Sequence, residues 1–308
     1  MHLIVPFAGT VSEAGRQALQ SLSLPSLTRL LGRLSPGEPL GSDEFSPNLP
    51  HEQALAQALG WAHAPDAPLP FAARQAAALG LPAADAAWAR LTPVHLHVGS
   101  DAVSLTEPEA LQLDEASSRA LLDALRPLFE TEGFTLHWAA PLDWLATHPL
   151  FDGLVTASLD RVVGRNIDPW LPDQRSARLV RRLQNEVQML LYTHPINEER
   201  EAAGLATVNS FWLSGCGRLP AGATPQPPRV DDRLRAPALA EDWATWCEAW
   251  QALDAGPITE LLRTGEAMSL TLCGERRAQT WAPASQGLWQ RMAATWRKPS
   301  VHAVLEAL

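Results

Sequence analysis

Arg178-Leu179-Val180-Arg181-Arg182-Leu183-Gln184-Asn185-Glu186-Val187-Gln188-Met189-Leu190-Leu191-Tyr192, followed by Asn209-Ser210-Phe211-Trp212-Leu213, decides the fold class. In the first run Leu179, Leu183, Val187, Leu190 and Leu191 recur at helical spacing, so it predicts an amphipathic helix. The second run is short, apolar and aromatic, which suits a strand. It ends in Ser214-Gly215-Cys216-Gly217, which reads as a tight turn. A helix followed by a strand points to an α/β protein.

Working outward from there, Val94-His95-Leu96-His97-Val98 and Ala102-Val103-Ser104-Leu105-Thr106 alternate with period two around Gly99-Ser100-Asp101. That pattern predicts a β-hairpin and hence a mixed sheet. Leu121, Leu122, Leu125, Leu128 and Phe129 share a helical face over 114–131, with a strand to follow at 134–138. Toward the start, residues 2–7 read as a buried strand, 12–20 and 24–31 as helices, 35–50 as a loop, and the Ala-rich 51–90 as two or three short helices. Toward the end, 220–237 is a Pro-rich loop, 239–254 and 257–264 are helices, Met268–Cys273 is a strand, Gly274-Glu275 a turn, and two helices close the chain. We expect one α/β domain over 1–308, with a mixed central sheet flanked by helices and 93–140 as a hairpin-containing sub-lobe.

The chain has 308 residues, 46% of them hydrophobic, which supplies a substantial core. Its formal net charge of −10 is the wrong sign for a general nucleic-acid binder, which needs cations to displace counterions from phosphates. Lys298 is the one lysine; the other basic residues are arginines. Genome composition explains that bias. Cys216, Cys247 and Cys273 are scattered and odd in number, against a disulfide framework or a thiolate zinc site. Met1–Phe7 is apolar but short and lacks a basic leader, and no stretch reaches the roughly 20 apolar residues of a membrane helix. A cytoplasmic location is the expectation.

His194-Pro195-Ile196-Asn197-Glu198-Glu199-Arg200, running on to Asn209-Ser210-Phe211-Trp212-Leu213-Ser214-Gly215-Cys216-Gly217, resembles the archaeal-type cofactor-independent phosphoglycerate mutases of the alkaline phosphatase superfamily. Leu24-Pro25-Ser26-Leu27-Thr28-Arg29-Leu30-Leu31 is similar to a helix near the start of many enzymes of that superfamily. Over most of its length the chain also resembles the RpfE-type regulatory proteins of proteobacteria, through Pro93-Val94-His95-Leu96, Arg182–Leu190 and Asn209–Gly217. The resemblance implies an alkaline-phosphatase-like α/β fold. It also implies two divalent metals held by Asp and His, which activate a Ser or Thr nucleophile. The chain departs from that pattern at two ligand positions. Its first strand ends in Pro6-Phe7-Ala8-Gly9 where the family carries Asp-Gly, and Gly274-Glu275-Arg276 stands where the family carries Gly-Asp-His. Arginine does not lose its proton to ligate a metal.

Several residues remain candidates for a site. His95 and His97 lie two apart on a strand and so share a face. With His137 they can hold a divalent metal, or they can simply line the polar side of a sheet. Asn185, Glu186 and Gln188 flank the apolar stripe of the long helix. With His194, Asn197, Arg200, Asn209 and Trp212 they form either a polar pocket or a structural network. Arg161 and Arg165, four apart, can clamp a phosphate or carboxylate. Cys216 beside His194 is a conceivable nucleophile, though a small residue required by the turn explains it better. The sequence therefore predicts a non-catalytic regulatory or ligand-binding protein with a mutase-like fold. It needs no cofactor, and its partner is a small anionic metabolite or a protein. The alternative is a phosphomutase or phosphohydrolase whose remodelled site uses Arg161, Arg165, His194, Asn197, Arg200 and Asn209.

Overall fold

Leu3, Ile4 and Val5 are fully buried in the middle of a sheet, as a short unbroken apolar run predicts. In the computed structural model, which describes residues 1–41, 43–61, 64–172, 177–221, 227–264, 268–283 and 300–308, the chain packs as two compact units. One comprises Met1–Ala62 with Ala223–Leu308, the other His63–Gly222. The sequence predicts one domain because no change of composition marks where the chain leaves the first unit and returns to it.

The first unit holds the mixed sheet. Strand His2–Val5 lies between Arg229–Val230 and Ser269–Cys273, parallel to both. Arg277–Ala282 runs antiparallel to Ser269–Cys273 and carries the short strands Ser35–Pro36 and Leu40–Gly41 on its far side. One face packs with helices Glu13–Ser21, Pro25–Leu31, Trp243–Leu253 and Val301–Glu306. Helix Pro50–Ala58 packs on Ile4, Cys273 and Ala278. Trp243, Trp246 and Trp250 form a core ladder, edge-to-face at 5.8 and 6.1 Å, and the Trp246 indole donates to the Phe7 carbonyl at 3.0 Å.

Several expectations fail in this unit. The loop expected over 220–237 contains strand Arg229–Val230, and helix Arg235–Leu239 begins inside it. The loop expected over 35–50 contains the strands Ser35–Pro36 and Leu40–Gly41. Arg277–Ala282 is a strand where a helix was expected. Its buried residues, Ala278 and Trp281, lie opposite Cys273 and Leu270, and six residues are too few for a period to show in the sequence. The helix expected after it falls at 284–299, outside the described residues, while Val301–Glu306 is helical. The two helices expected over 239–264 are joined through a π-helical turn at Asp254–Ile258, where Pro257 lacks the N–H an α-helix needs.

The second unit is built on an antiparallel sheet in the order Thr135–Ala140, Asp143–Thr147, Ala87–Val94, Ser210–Arg218. Helices Glu115–Thr131 and Ala177–Tyr192 cover one face through Leu121, Leu125, Leu183, Val187 and Leu191. Helix Phe71–Ala78 covers the other through Ala72, Ala73 and Ala76 against Trp88 and Leu145. The first half of Ala87–Val94 was expected to be helical, as the end of the Ala-rich 51–90. A strand covered on both faces loses its alternation and reads like a buried helix. The hairpin Leu96–Val98 with Val103–Leu105 forms as expected but as a separate two-stranded sheet. It is not part of the mixed sheet it was taken to imply, and 93–140 belongs to the second unit.

Candidate functional site

The mid-chain motif folds as a knot of side chains on backbone. Helix Ala177–Tyr192 ends at Thr193, and the His194 ring accepts from the Ile196 N–H at 3.3 Å, capping helix Pro195–Ala202. Asn197 is buried. Its Nδ2 donates to the carbonyls of Leu191 at 2.8 Å and Val208 at 2.7 Å, and its Oδ1 accepts from the Val208 N–H at 2.9 Å. Arg200, also buried, donates from Nε to the Ala206 carbonyl at 2.9 Å and from Nη2 to that of Leu111. Burial lowers its pKa from the ordinary value, against the pull of the Asp114 carboxylate. Asn209 brackets Leu96, accepting from its N–H at 2.7 Å and donating to its carbonyl at 2.9 Å. It thereby replaces the ladder where the chain turns from the sheet into the hairpin. The Trp212 indole donates to the Ala157 carbonyl at 3.0 Å. These groups spend their hydrogen bonds on main chain, as a structural network does.

The remaining candidates lie elsewhere. Asn185 and Gln188 point to solvent from the long helix, and Glu186 pairs with Arg182 at 3.5 Å. Arg161 is buried with its guanidinium 5.4 Å from the Trp170 ring, whereas Arg165 is exposed. His95 Nδ1 lies 2.9 Å from the Thr207 carbonyl oxygen, and His97 is exposed. His137 packs 5.2 Å from the Trp88 ring. Burial, helped by Arg126, lowers the His137 pKa. Among the described residues no three His, Cys, Asp or Glu side chains cluster as a metal would require. Cys216 is in the core of its unit, and burial pushes its thiol up to about 12. The thiolate needed for attack is therefore scarce at neutral pH.

In sheets with parallel strands, ligands gather beyond the carboxyl ends, where the following loops converge. In the first unit that place is taken. Past Val5, Phe7 holds a left-handed φ of 55° and the Ala8 N–H donates to the Cys273 carbonyl at 2.7 Å. Past Cys273, the N–H groups of Arg276 and Arg277 donate to the Leu308 main-chain oxygen at 3.2 and 2.7 Å. Segment 301–308 sits so close that a Cβ on Gly274 would lie 2.7 Å from Leu308, and one on Gly9 would strike the Leu305 carbonyl. The two strand ends therefore do not fit a divalent metal pair: past Val5 there is no carboxylate, past Cys273 the one carboxylate is that of Glu275, beside Arg276, and the space beyond them is filled by chain.

A different place in the same unit is open and charged. Arg229, Arg233, Gly256, Glu260 and Arg263 line a cavity of about 620 Å³. Arg229 opens the edge strand, Arg233 follows it, Gly256 lies in the π-helical turn, and Glu260 and Arg263 are on helix Thr259–Thr264. Buried Asp231, anchored by its N–H to the Ile4 carbonyl at 3.0 Å, grips Arg233 through two bonds of 2.7 and 2.9 Å. Arg229 reaches Glu260 at 3.4 Å and Asp231 at 4.0 Å. Arg263 is exposed and has no ion-pair partner among the described residues. Gly256 is exposed, and a Cβ on it would meet nothing within 4 Å. Three guanidiniums against two carboxylates leave one positive charge, on donors suited to a planar or tetrahedral oxyanion. Sequence reading missed this group because Arg229 and Arg233 fall in the Pro-rich stretch and the arginines were put down to composition. The i, i+4 spacing of Arg229 and Arg233 around Asp231 was the available signal.

No protein-family model matches the sequence. Among solved structures the chain is similar to a cofactor-independent phosphoglycerate mutase from Thermoplasma acidophilum DSM 1728, with 14% identity, 93% of this chain and 90% of that one covered, and a TM-score of 0.39. It is also similar to the PH0037 protein from Pyrococcus horikoshii, with 14% identity, 92% and 87% covered, and a TM-score of 0.44. Likeness at such identity says nothing of activity.

Proposed function

We propose that this chain is a non-catalytic binding protein for a small oxyanion, a phosphate ester or carboxylate, held by Arg229, Arg233 and Arg263. The observation that carries this reading is the pairing of an open arginine-lined cavity with strand ends closed by segment 301–308. The resemblance of Arg182–Leu190 and Asn209–Gly217 to RpfE-type regulatory proteins supports a regulatory purpose for such binding. Guanidinium–oxyanion bonds are charge-assisted and directional, so each arginine that touches the ligand contributes to affinity.

The test is calorimetric titration of the full chain with inorganic phosphate and with a phosphorylated three-carbon acid, alongside Arg263→Ala and Arg229→Ala. Saturable binding is expected, weakened by roughly tenfold in each variant and further by added salt. Binding that is unchanged in both variants would overturn the site. Turnover of a phosphate ester that scales with added Mg²⁺ or Mn²⁺ would overturn the non-catalytic reading.

A further inference from the structure

Helix Ala177–Tyr192 buries one stripe and exposes another. Ala177, Val180, Leu183, Val187 and Leu191 face the core. Arg178, Arg181, Asn185, Gln188, Met189 and Tyr192 are all exposed, and at 3.6 residues per turn they fall on one face about opposite the core. Met189 is 75% and Tyr192 84% exposed, the highest values among the large apolar side chains described. The stripe contains no lysine and no carboxylate. Arg, Met and Tyr are the residue types that interfaces favour, and Lys and Glu those they avoid.

The order of residues along the stripe says what fits it. Arg178 and Tyr192 lie seven residues to either side of Asn185, and Arg181 and Met189 four to either side. An antiparallel copy of the helix, related by a two-fold axis at Asn185, would set each member of these pairs against the other. Arg178 would meet the second copy's Tyr192 ring, a cation–π contact. Arg181 would lay its stem along Met189, and the two Asn185 amides would exchange hydrogen bonds. Like charges stay apart, because the two copies of Arg178 fall at opposite ends of a contact about 21 Å long, at 1.5 Å per residue. An isologous interface requires this self-complementarity. Arg182 is occupied at the rim by Glu132 and Glu186, and Arg181 is steadied by its bond to the Pro172 carbonyl at 2.8 Å.

We infer that this face pairs with the same face of a second copy of the chain, as an antiparallel two-fold dimer centred on Asn185. One helix pair is a small interface, so the dimer forms weakly and reversibly. Sedimentation velocity on the full chain across a concentration series tests it, with circular dichroism confirming that each variant is folded. The wild-type chain should pass from monomer to dimer as concentration rises. Asn185→Arg sets two guanidiniums together at the axis and should weaken association at least tenfold. Met189→Glu sets a carboxylate opposite the second copy's Arg181, so it should dimerise at equal or lower concentration. A wild-type chain that stays monomeric would refute the inference, as would Asn185→Arg that associates like wild type. Met189→Glu that dissociates would refute it too, because that outcome marks a merely apolar contact.

Discussion

Asn197 shows how one residue can look like a ligand-binding group and serve as a joint. Three main-chain groups, on Leu191 and Val208, depend on its amide. They are buried, so removing the amide leaves both Val208 groups without partners and the Leu191 carbonyl with only the His194 N–H at 3.2 Å. Asn197→Ala should therefore destabilise the protein by ~2–4 kcal/mol, measured by urea unfolding, since each orphaned buried group costs on the order of 1–3 kcal/mol and the losses are not additive. Gln188→Ala, on the exposed stripe, should stay within about 0.5 kcal/mol. Equal effects at both positions would show that the network carries no load. The chemistry of this cluster was legible in the sequence: amides and an arginine near a turn must be hydrogen-bonded. Its purpose was not, because spacing along the chain does not say whether the partner atoms are main-chain carbonyls of the same loop or a ligand. The same gap hid Arg229, Arg233 and Arg263, which converge only through a strand edge and a helix that lie far apart in sequence.

At the scale of elements, strand Ser210–Arg218 was read correctly in its first half and as a turn in its second. The glycines misled. Arg90 lies opposite Ser214 and Trp88 opposite Gly217, so two residues, Gly215 and Cys216, face the single Ala89. This is a bulge, with Gly215 at a left-handed φ of 64° as the first residue of such a bulge prefers. The strand continues past it, which a turn would forbid. Amphipathic helices such as Glu115–Thr131 were legible because their period persists over several turns. Arg277–Ala282 and Asp143–Thr147 were not, being too short for a period to stand out. The bulge also sets how closely helix Phe71–Ala78 approaches, since a Cβ on Gly215 would lie 3.1 Å from the Ala72 nitrogen. Gly215→Val should cost ~2–4 kcal/mol, combining the left-handed backbone penalty with that collision. Gly204→Ala makes a clean comparison. It has a φ of 73° but no neighbour within 4 Å, so it should cost only about 1 kcal/mol. If Gly215→Val unfolds at the same denaturant concentration as Gly204→Ala, the close approach carries no energy.

For the whole molecule, the two units share a weakness to acid. His2 is in the first unit, with its Nε2 2.8 Å from the Thr271 hydroxyl. His137 and His148 are in the second, the latter stacked on Phe134 at 4.1 Å. Burial is the chief cause lowering the pKa of all three, while unfolding returns each to about 6.5. The sign follows from proton counting. Between the folded values and about 6.5 the unfolded chain binds more protons, so stability rises with pH across that window and is lost as pH falls through it. Asp114 and Asp242 cap helices by accepting from Ser117 and Thr245, bonds that hold their pKa values below the ordinary carboxylate range. Their contribution is present above about 3.9 and disappears below it. Stability should thus decline in two stages, first below about pH 6.5 and again below about pH 4. Because the histidines are divided between the units, the first stage should lower the unfolding midpoint of both together. His137→Phe keeps a ring against Trp88 while removing one titrating group. It should therefore flatten the profile between neutral pH and about pH 5 without altering the lower stage. Thermal unfolding followed by circular dichroism across that range decides the matter. A midpoint that does not move between neutral pH and about pH 5 would mean that these half-buried histidines are not what makes the fold sensitive to protons.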